Sequence, residues 1–495
     1  MLIGGCAAPK VQTTPEDRAV SGEPTPEAGQ TTESFYEQEL EWAGCGGYEC
    51  ATAQAPLDWD DPAAGAIQLA LQRSIATGAD DQRIGSLLIN PGGPGGSGIE
   101  FLDYAVTTVM GDRVLESYDI VAFDPRGVGA SSPVDCGADS VVDEFLTADV
   151  PLESQADVDA ARERLRAFSA ECLAMTGPLL GEVDTVSAAR DMDLLRAVLG
   201  DEKLNFAGFS YGTFLGATYA DLYPESVGRL LLDGALDPSM TNDDLVVGQA
   251  VGFEEALSAY VEDCQAGASC PLSGSVDDGK EQIAELVSRI EISPLDAGDG
   301  NLLNATLAFY GIVVTLYDDA SWQYLSVALT EAIRENSGST LLQLANFYLD
   351  RTLEGQYLSN SMIAFTSINC LDYPSVTRSY DELVALADGV ADLAPTFGRE
   401  FAMGIGCEAW PFQSTAERGP IAAPGAPPIL VVGTTGDPAT PYEWSVALAD
   451  QLESGVLLTY EGEGHTAYGR ANDCVHDAVD AYLVDGTVPP DGLTC

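Results

Sequence analysis

Short apolar runs alternate with amphipathic stretches along most of this chain. Residues 67–73 alternate apolar and polar with period two and predict an edge strand. Residues 86–90 form a short apolar run ending in a glycine-rich turn, and 118–124 predict a second buried strand, stopped by Pro125 and Gly127. Residues 185–200 predict a helix, with Leu194, Leu195, Val198 and Leu199 on one face and Gly200 at the stop position. A strand at 204–210 then runs into a turn, followed by a helix at 212–223 and a strand at 227–232. Two more strands are predicted at 428–433 and 456–460, and a last helix at 471–484. Between them, helical patterns dominate, at 245–263, 279–290 and 304–350. The fold class is therefore α/β: a mostly parallel sheet with helices on both faces. The helical block reads as a cap inserted over the C-terminal edge of the sheet, where such folds carry their sites. Four segments follow: an N-terminal tether at 1–34, a core at 35–237, the cap at 238–424 and the rest of the core at 425–495.

A length of 495 residues fits a main domain plus an insertion. Charge narrows the partners. With 21 Lys+Arg against 78 Asp+Glu, net −57, phosphate binding is poorly served, so nucleic acid is set aside and an anionic membrane surface is disfavoured. The acidity suits a solvated surface, and part of it suits attraction of a cationic group such as a peptide's free amine. No stretch is long and apolar enough to predict a transmembrane helix. Of eleven cysteines, Cys6 stands apart from ten others: Cys45, Cys50, Cys136, Cys172, Cys264, Cys270, Cys370, Cys407, Cys474 and Cys495. With no CxxC pair and two histidines, no metal site is expected; ten cysteines suit five disulfides in an oxidising compartment. Spacing leaves the connectivity open, and sequential pairing is the simplest expectation. Ile3-Gly4-Gly5-Cys6 resembles the end of a bacterial lipoprotein signal, although the basic and long apolar regions of a full signal are missing. Residues 7–34, rich in Pro, Thr, Glu and Gly, read as a disordered linker. A secreted or cell-surface protein is expected, its membrane contact limited to a lipid on Cys6.

The chemistry centres on Gly208-Phe209-Ser210-Tyr211-Gly212, which fits G-x-S-x-G in the strand–turn–helix context a nucleophile elbow needs. A serine hydroxyl needs a base. His465, in a loop just after the last strand, suits that role; His476 falls on the polar face of the final helix and reads as a surface residue. The base needs a carboxylate to orient it, and Asp437, following the strand at 428–433, is the candidate. Asp233, after the strand that follows the elbow, is the alternative. An oxyanion hole needs two backbone N–H groups, for which Tyr211 and Gly93 are the candidates. Gly93 to Gly98 also fits the dinucleotide fingerprint G-x-G-x-x-G, with Asp124 ending the next strand; Pro94 removes a donor there, and that reading leaves the elbow and His465 unused.

The strings NPGGPGGSG (90–98), DPRGVGAS (124–131), GFSYGT (208–213), GTTGDPATP (433–441) and GHTAY (464–468) together resemble the secreted tripeptidyl-aminopeptidases of actinobacteria. Those enzymes belong to the proline-iminopeptidase-like branch of the α/β-hydrolases. The glycine loop departs from the branch's common HGGPGG, with Pro91 where the histidine would stand. The resemblance implies an α/β-hydrolase fold and a serine exopeptidase that releases short peptides, tripeptides above all, from free N-termini without a cofactor. It also implies acidic cap residues that hold the substrate's amine, with Asp372 as a candidate. A carboxylesterase using the same three side chains is the alternative function.

Overall fold

The computed structural model describes residues 31–416 and 418–495. The strands are β1 (Ala43–Cys45), β2 (Tyr48–Pro56), β3 (Ala66–Ser74), β4 (Gly85–Asn90), β5 (Tyr118–Phe123), β6 (Leu204–Phe209), β7 (Val227–Asp233), β8 (Leu295–Asp296), β9 (Leu302–Leu303), β10 (Ile429–Gly436), β11 (Gly455–Glu463) and β12 (Leu493–Thr494). Ten of them form one sheet in the order β1-β2-β3-β5-β4-β6-β7-β10-β11-β12, and β8 and β9 make a separate hairpin. Pairing is antiparallel from β1 to β5 and parallel from β5 to β12. Every residue of β4, β5 and β6 is buried, because helices cover both faces. That is why these strands are mostly apolar, with only Ser86, Asn90, Asp119 and Asn205 as polar residues, and each buried Leu, Ile or Phe side chain adds about 1.5–3 kcal/mol.

Register sets the site. Asn90 of β4 stands opposite Gly208 of β6, Phe209 opposite Asp233 of β7, and Asp233 opposite Val432 of β10. The carboxyl ends of four strands therefore share one rim, and the elbow, Asp437 and the loop after β11 lie at that rim. Between β7 and β10 helices predominate, beginning with Asn242–Ala266 and including Ser361–Asp372, with the β8–β9 hairpin among them.

Three expectations change. β3 is not an edge strand: β2 covers it on one side and β5 on the other. β2 escapes notice because its buried positions include Ala51, Ala53 and Ala55, whose small side chains barely register as hydrophobic. The helical stretch at 304–350 is broken into Ala305–Leu316, Trp322–Thr330 and Ser339–Tyr348, with Asn336 in the left-handed region before the last. The linker expected to reach residue 34 ends earlier, since Thr32–Tyr36 is helical and buries Phe35 against the core. The rest of that tether, and Cys6 with it, lies outside the described residues.

Five disulfides join Cys45–Cys50, Cys136–Cys172, Cys264–Cys270, Cys370–Cys407 and Cys474–Cys495, so the pairing is sequential. Among the described residues no helix is long and apolar enough to cross a membrane.

Candidate active site

Ser210 follows β6 directly and precedes helix Tyr211–Leu222. Its backbone is at φ 57°, ψ −126°, a strained conformation for a residue with a Cβ, held because both flanking elements are fixed. One fixing bond is Ser210 N–H to Asp233 O at 2.9 Å. The turn is tight enough that a Cβ on Gly208 would overlap the carbonyl of Gly212, which accounts for the first glycine of the motif. The side chain of Ser210 is thereby presented at the rim.

His465 lies in the loop after β11. Its Nδ1 is 2.9 Å from Oδ1 and 2.9 Å from Oδ2 of Asp437. A carboxylate only accepts, so Nδ1 carries the proton and Nε2 presents its lone pair. Nε2 is buried and has no hydrogen-bond partner among the described residues. No hydrogen bond joins it to Ser210 Oγ in this structure, and the link between the two runs through the Asp233–Gly234 backbone. Gly234, one residue beyond the carbonyl that holds Ser210, packs so closely that a Cβ there would lie 3.2 Å from His465 Cε1. A nucleophile–base bond is commonly loose before substrate binds.

Asp437 is fully buried in its side chain. Oδ1 accepts the N–H groups of Ala439 (3.0 Å) and Thr440 (2.9 Å), and Oδ2 accepts the Thr440 hydroxyl (3.0 Å) and Thr466 N–H (3.2 Å). These donors fix the carboxylate before the imidazole arrives. The histidine loop is fixed as well. His465 N–H donates to Tyr317 O at 2.8 Å, and Arg470 Nε donates to the carbonyls of His465 (3.2 Å) and Thr466 (2.8 Å).

Asp233, the alternative acid, is turned to another task. Its carboxylate accepts Ala467 N–H at 3.0 Å and Tyr468 N–H at 2.7 Å, so it grips the loop rather than the imidazole. Complete burial pushes its carboxyl up to about 7, against the pull of those N–H groups. His476 is half-buried rather than fully solvated, its ring 5.2 Å from that of Tyr468.

Tyr211 N–H opens its helix and has no intrahelical acceptor to use. The glycine loop lies against it: a Cβ on Gly92 would fall 2.8 Å from Ser210 Cβ and 3.1 Å from Tyr211 N. Gly92 N–H is taken by Asn90 Oδ1 at 3.0 Å, whereas no acceptor among the described residues takes Gly93 N–H. Tyr211 N–H and Gly93 N–H are thus both without an acceptor among the described residues, and the Gly92 backbone packs on the nucleophile turn. Asp124 is occupied, accepting Ser97 Oγ (2.6 Å), Ile99 N–H (3.2 Å) and Ala130 N–H (2.8 Å), which leaves no free carboxylate for a dinucleotide ribose. Asp372 is 4 % exposed, with its carboxylate on Thr185 N–H (2.9 Å) and the Thr185 hydroxyl (2.6 Å); burial pushes it up to about 7. Thr440 was missed although it stands three residues after Asp437, and Thr185 and Tyr317 carried no signal, since their roles depend on tertiary neighbours.

Residues 394–495 match a family model described as TAP-like protein. Serine protease Hip1 of Mycobacterium tuberculosis is 38% identical over 489 residues, covering 92% of this chain and 91% of that protein. Carboxylesterase B of the same species is 34% identical over 514 residues, covering 100% of this chain and 96% of that one. Tripeptidyl aminopeptidase of Streptomyces lividans is 29% identical over 470 residues, covering 92% and 86%.

Proposed function

The chain belongs to the tripeptidyl-aminopeptidase-like α/β-hydrolases, and from that membership we propose that it is a serine exopeptidase acting on peptides with free N-termini. Ser210 is the nucleophile, His465 the base and Asp437 the acid that orients the base. The observation that carries this reading is the Asp437–His465 pair, with a buried, unpartnered Nε2 beside a strained elbow serine. This reading requires Ser210 Oγ to reach Nε2 when substrate binds. Oγ attacks the scissile carbonyl as its proton passes to Nε2, and the oxyanion forms between the N–H groups of Tyr211 and Gly93. The C–N bond then breaks, the leaving amine takes the proton from Nε2, and an acyl-enzyme remains. Water repeats the sequence and frees Ser210. The helical block at 238–424 serves as the cap of this cleft, a role supported by the Tyr317 carbonyl on His465 N–H. Five disulfides support an oxidising compartment, in keeping with secretion, and a lipid on Cys6 is the proposed anchor.

The test compares a tripeptide p-nitroanilide, its N-acetylated form and p-nitrophenyl acetate. Free-amine peptide should be cleaved and acetylated peptide rejected. Ser210→Ala should lower peptide turnover by at least about three orders of magnitude; near-normal hydrolysis by that variant would overturn the assignment. The relative named carboxylesterase B favours a second reading, ester hydrolysis by the same groups, and efficient ester turnover with no peptide cleavage would establish it.

A further inference from the structure

Helix Ser361–Asp372, from the block between β7 and β10, is fastened to the core at both ends and lies against it between them. Just before its first residue, Asn360 accepts Gly129 N–H and donates to the carbonyls of Gly127 and Val134, each at 2.9 Å. Its backbone then lies on the glycine loop, where a Cβ on Gly95 would overlap Ser361 O and sit 2.8 Å from Phe365 N. At its last residue, Asp372 receives both the N–H and the hydroxyl of Thr185, the first residue of helix Thr185–Val198. The Thr185 hydroxyl in turn meets the hydroxyl of Tyr211, the residue after the nucleophile. Asp372, Thr185 and Tyr211 are all buried, at 4, 1 and 5 % exposure.

This chain of three groups has a direction. When Asp372 is ionised its carboxylate can only accept, so Thr185 Oγ1 gives its single proton to Asp372 and accepts the proton of Tyr211. A buried tyrosine hydroxyl needs a partner, and here that partner is itself locked by a charge-assisted bond. The ring of Tyr211 is therefore held at its far end, while its own N–H, at the near end, follows a serine in a strained backbone conformation. The strand and helix that flank this turn fix its backbone, and the hydrogen-bonded ring adds a second restraint on Tyr211.

We propose that Asp372, acting through Thr185, is a positioning residue that holds Tyr211 so that its backbone N–H stays aimed at the oxyanion. The inference rests on the reading of Ser210 as nucleophile and Tyr211 N–H as oxyanion donor. Both carboxylate oxygens accept from Thr185 and the side chain is 4 % exposed, so Asp372 faces Thr185 and Tyr211 rather than a substrate amine. Helix Ser361–Asp372 thus supports the oxyanion hole from both sides, against the Gly93 loop and through Tyr211.

The experiment measures kcat and KM for Asp372→Asn, Thr185→Val, Thr185→Ser and Tyr211→Phe on a free-amine tripeptide p-nitroanilide and on neutral p-nitrophenyl acetate. Rates are normalised to the Ser210 that reacts with a fluorophosphonate probe, so unfolded protein does not count. Thr185→Val, Tyr211→Phe and Asp372→Asn should each lower kcat about tenfold on both substrates with KM within about twofold, since a misaimed donor weakens only the transition state. Thr185→Ser, which keeps the hydroxyl, should stay near the parent rate. An Asp372→Asn variant with raised KM for the peptide and unchanged ester turnover would mark an amine anchor and overturn the proposal. So would a Thr185→Ser variant as slow as Thr185→Val, which would mark a packing role. If Ser210→Ala is inactive while the relay variants keep full kcat, the relay alone fails; if Ser210→Ala stays active, the underlying reading fails whatever the relay variants do.

Discussion

Arg126 has no exposed surface, yet all its donor groups are used. Nε and Nη2 reach the two oxygens of Asp191 at 2.7 Å each, and Nη1 and Nη2 also bond the carbonyls of Leu57, Glu182 and Pro56. Such a charge is tolerable inside only because every donor is answered, and it joins the end of β2, the Glu182 loop and helix Thr185–Val198. Asp233 and Asp372 are buried without a cation in direct contact, and the consequence is a pH dependence. Burial holds both carboxyls up at about 7 against an ordinary 3.8, with Asp437 raising and Arg470 lowering Asp233, and Asp184 raising and Arg418 lowering Asp372. The folded chain therefore binds protons at these positions more tightly than the unfolded chain. Their contribution to stability is fully present below the unfolded value of 3.8 and is lost as the pH rises through about 7. Each group should lower stability by about 2.5 kcal/mol between pH 5 and pH 8. Asp233→Asn cannot ionise, and its urea midpoint should fall less than the parent's over that interval. Equal slopes for the two proteins would show that Asp233 does not titrate there.

At the scale of elements, the sheet is protected where its first strand falls short. β1 pairs only with residues 48–50 of β2, which leaves the rest of that strand open on one side. Gln38 closes part of the gap: its Nε2 donates to Gln54 O at 2.8 Å and its Oε1 accepts Gln54 N–H at 2.7 Å, as a neighbouring strand would. Gln38→Ala should speed hydrogen exchange at Gln54 N–H and lower stability by about 1 kcal/mol, and exchange no faster than the parent's would remove that role. The same elements show what was legible in the chain. β4, β5, β6 and β10 were visible because burial on both faces demands mostly apolar residues along the whole run. β2 was hidden because alanine supplies its buried face, and the short β1 and β12 carry too few residues for any period. Gly208-Phe209-Ser210-Tyr211-Gly212 and His465 could be named because local strand–turn–helix logic constrains them. Thr185 and Tyr317 could not, because what matters about them is a partner more than a hundred residues away in sequence.

At the scale of the whole molecule, the net charge of −57 dominates. With 78 acids and 21 Lys+Arg, most carboxylates have no cation to pair with, even where arginines are engaged as Arg73 is with Glu49 and Arg83 with Asp119. Like charges on a compact surface repel, and unfolding relieves part of that repulsion by spreading the chain. Salt shortens the reach of the repulsion from about 30 Å at 0.01 M to about 3 Å at 1 M, so added NaCl should raise the thermal midpoint by several degrees. The same field draws in a peptide's protonated amine and is indifferent to a neutral ester. Between those salt concentrations kcat/KM for a free-amine tripeptide should fall several-fold while that for p-nitrophenyl acetate holds steady. The two readouts separate two uses of one charge. A rising midpoint with a salt-independent peptide rate would make the acidity a matter of solvation alone, whereas a peptide-specific fall would make the surface part of substrate capture.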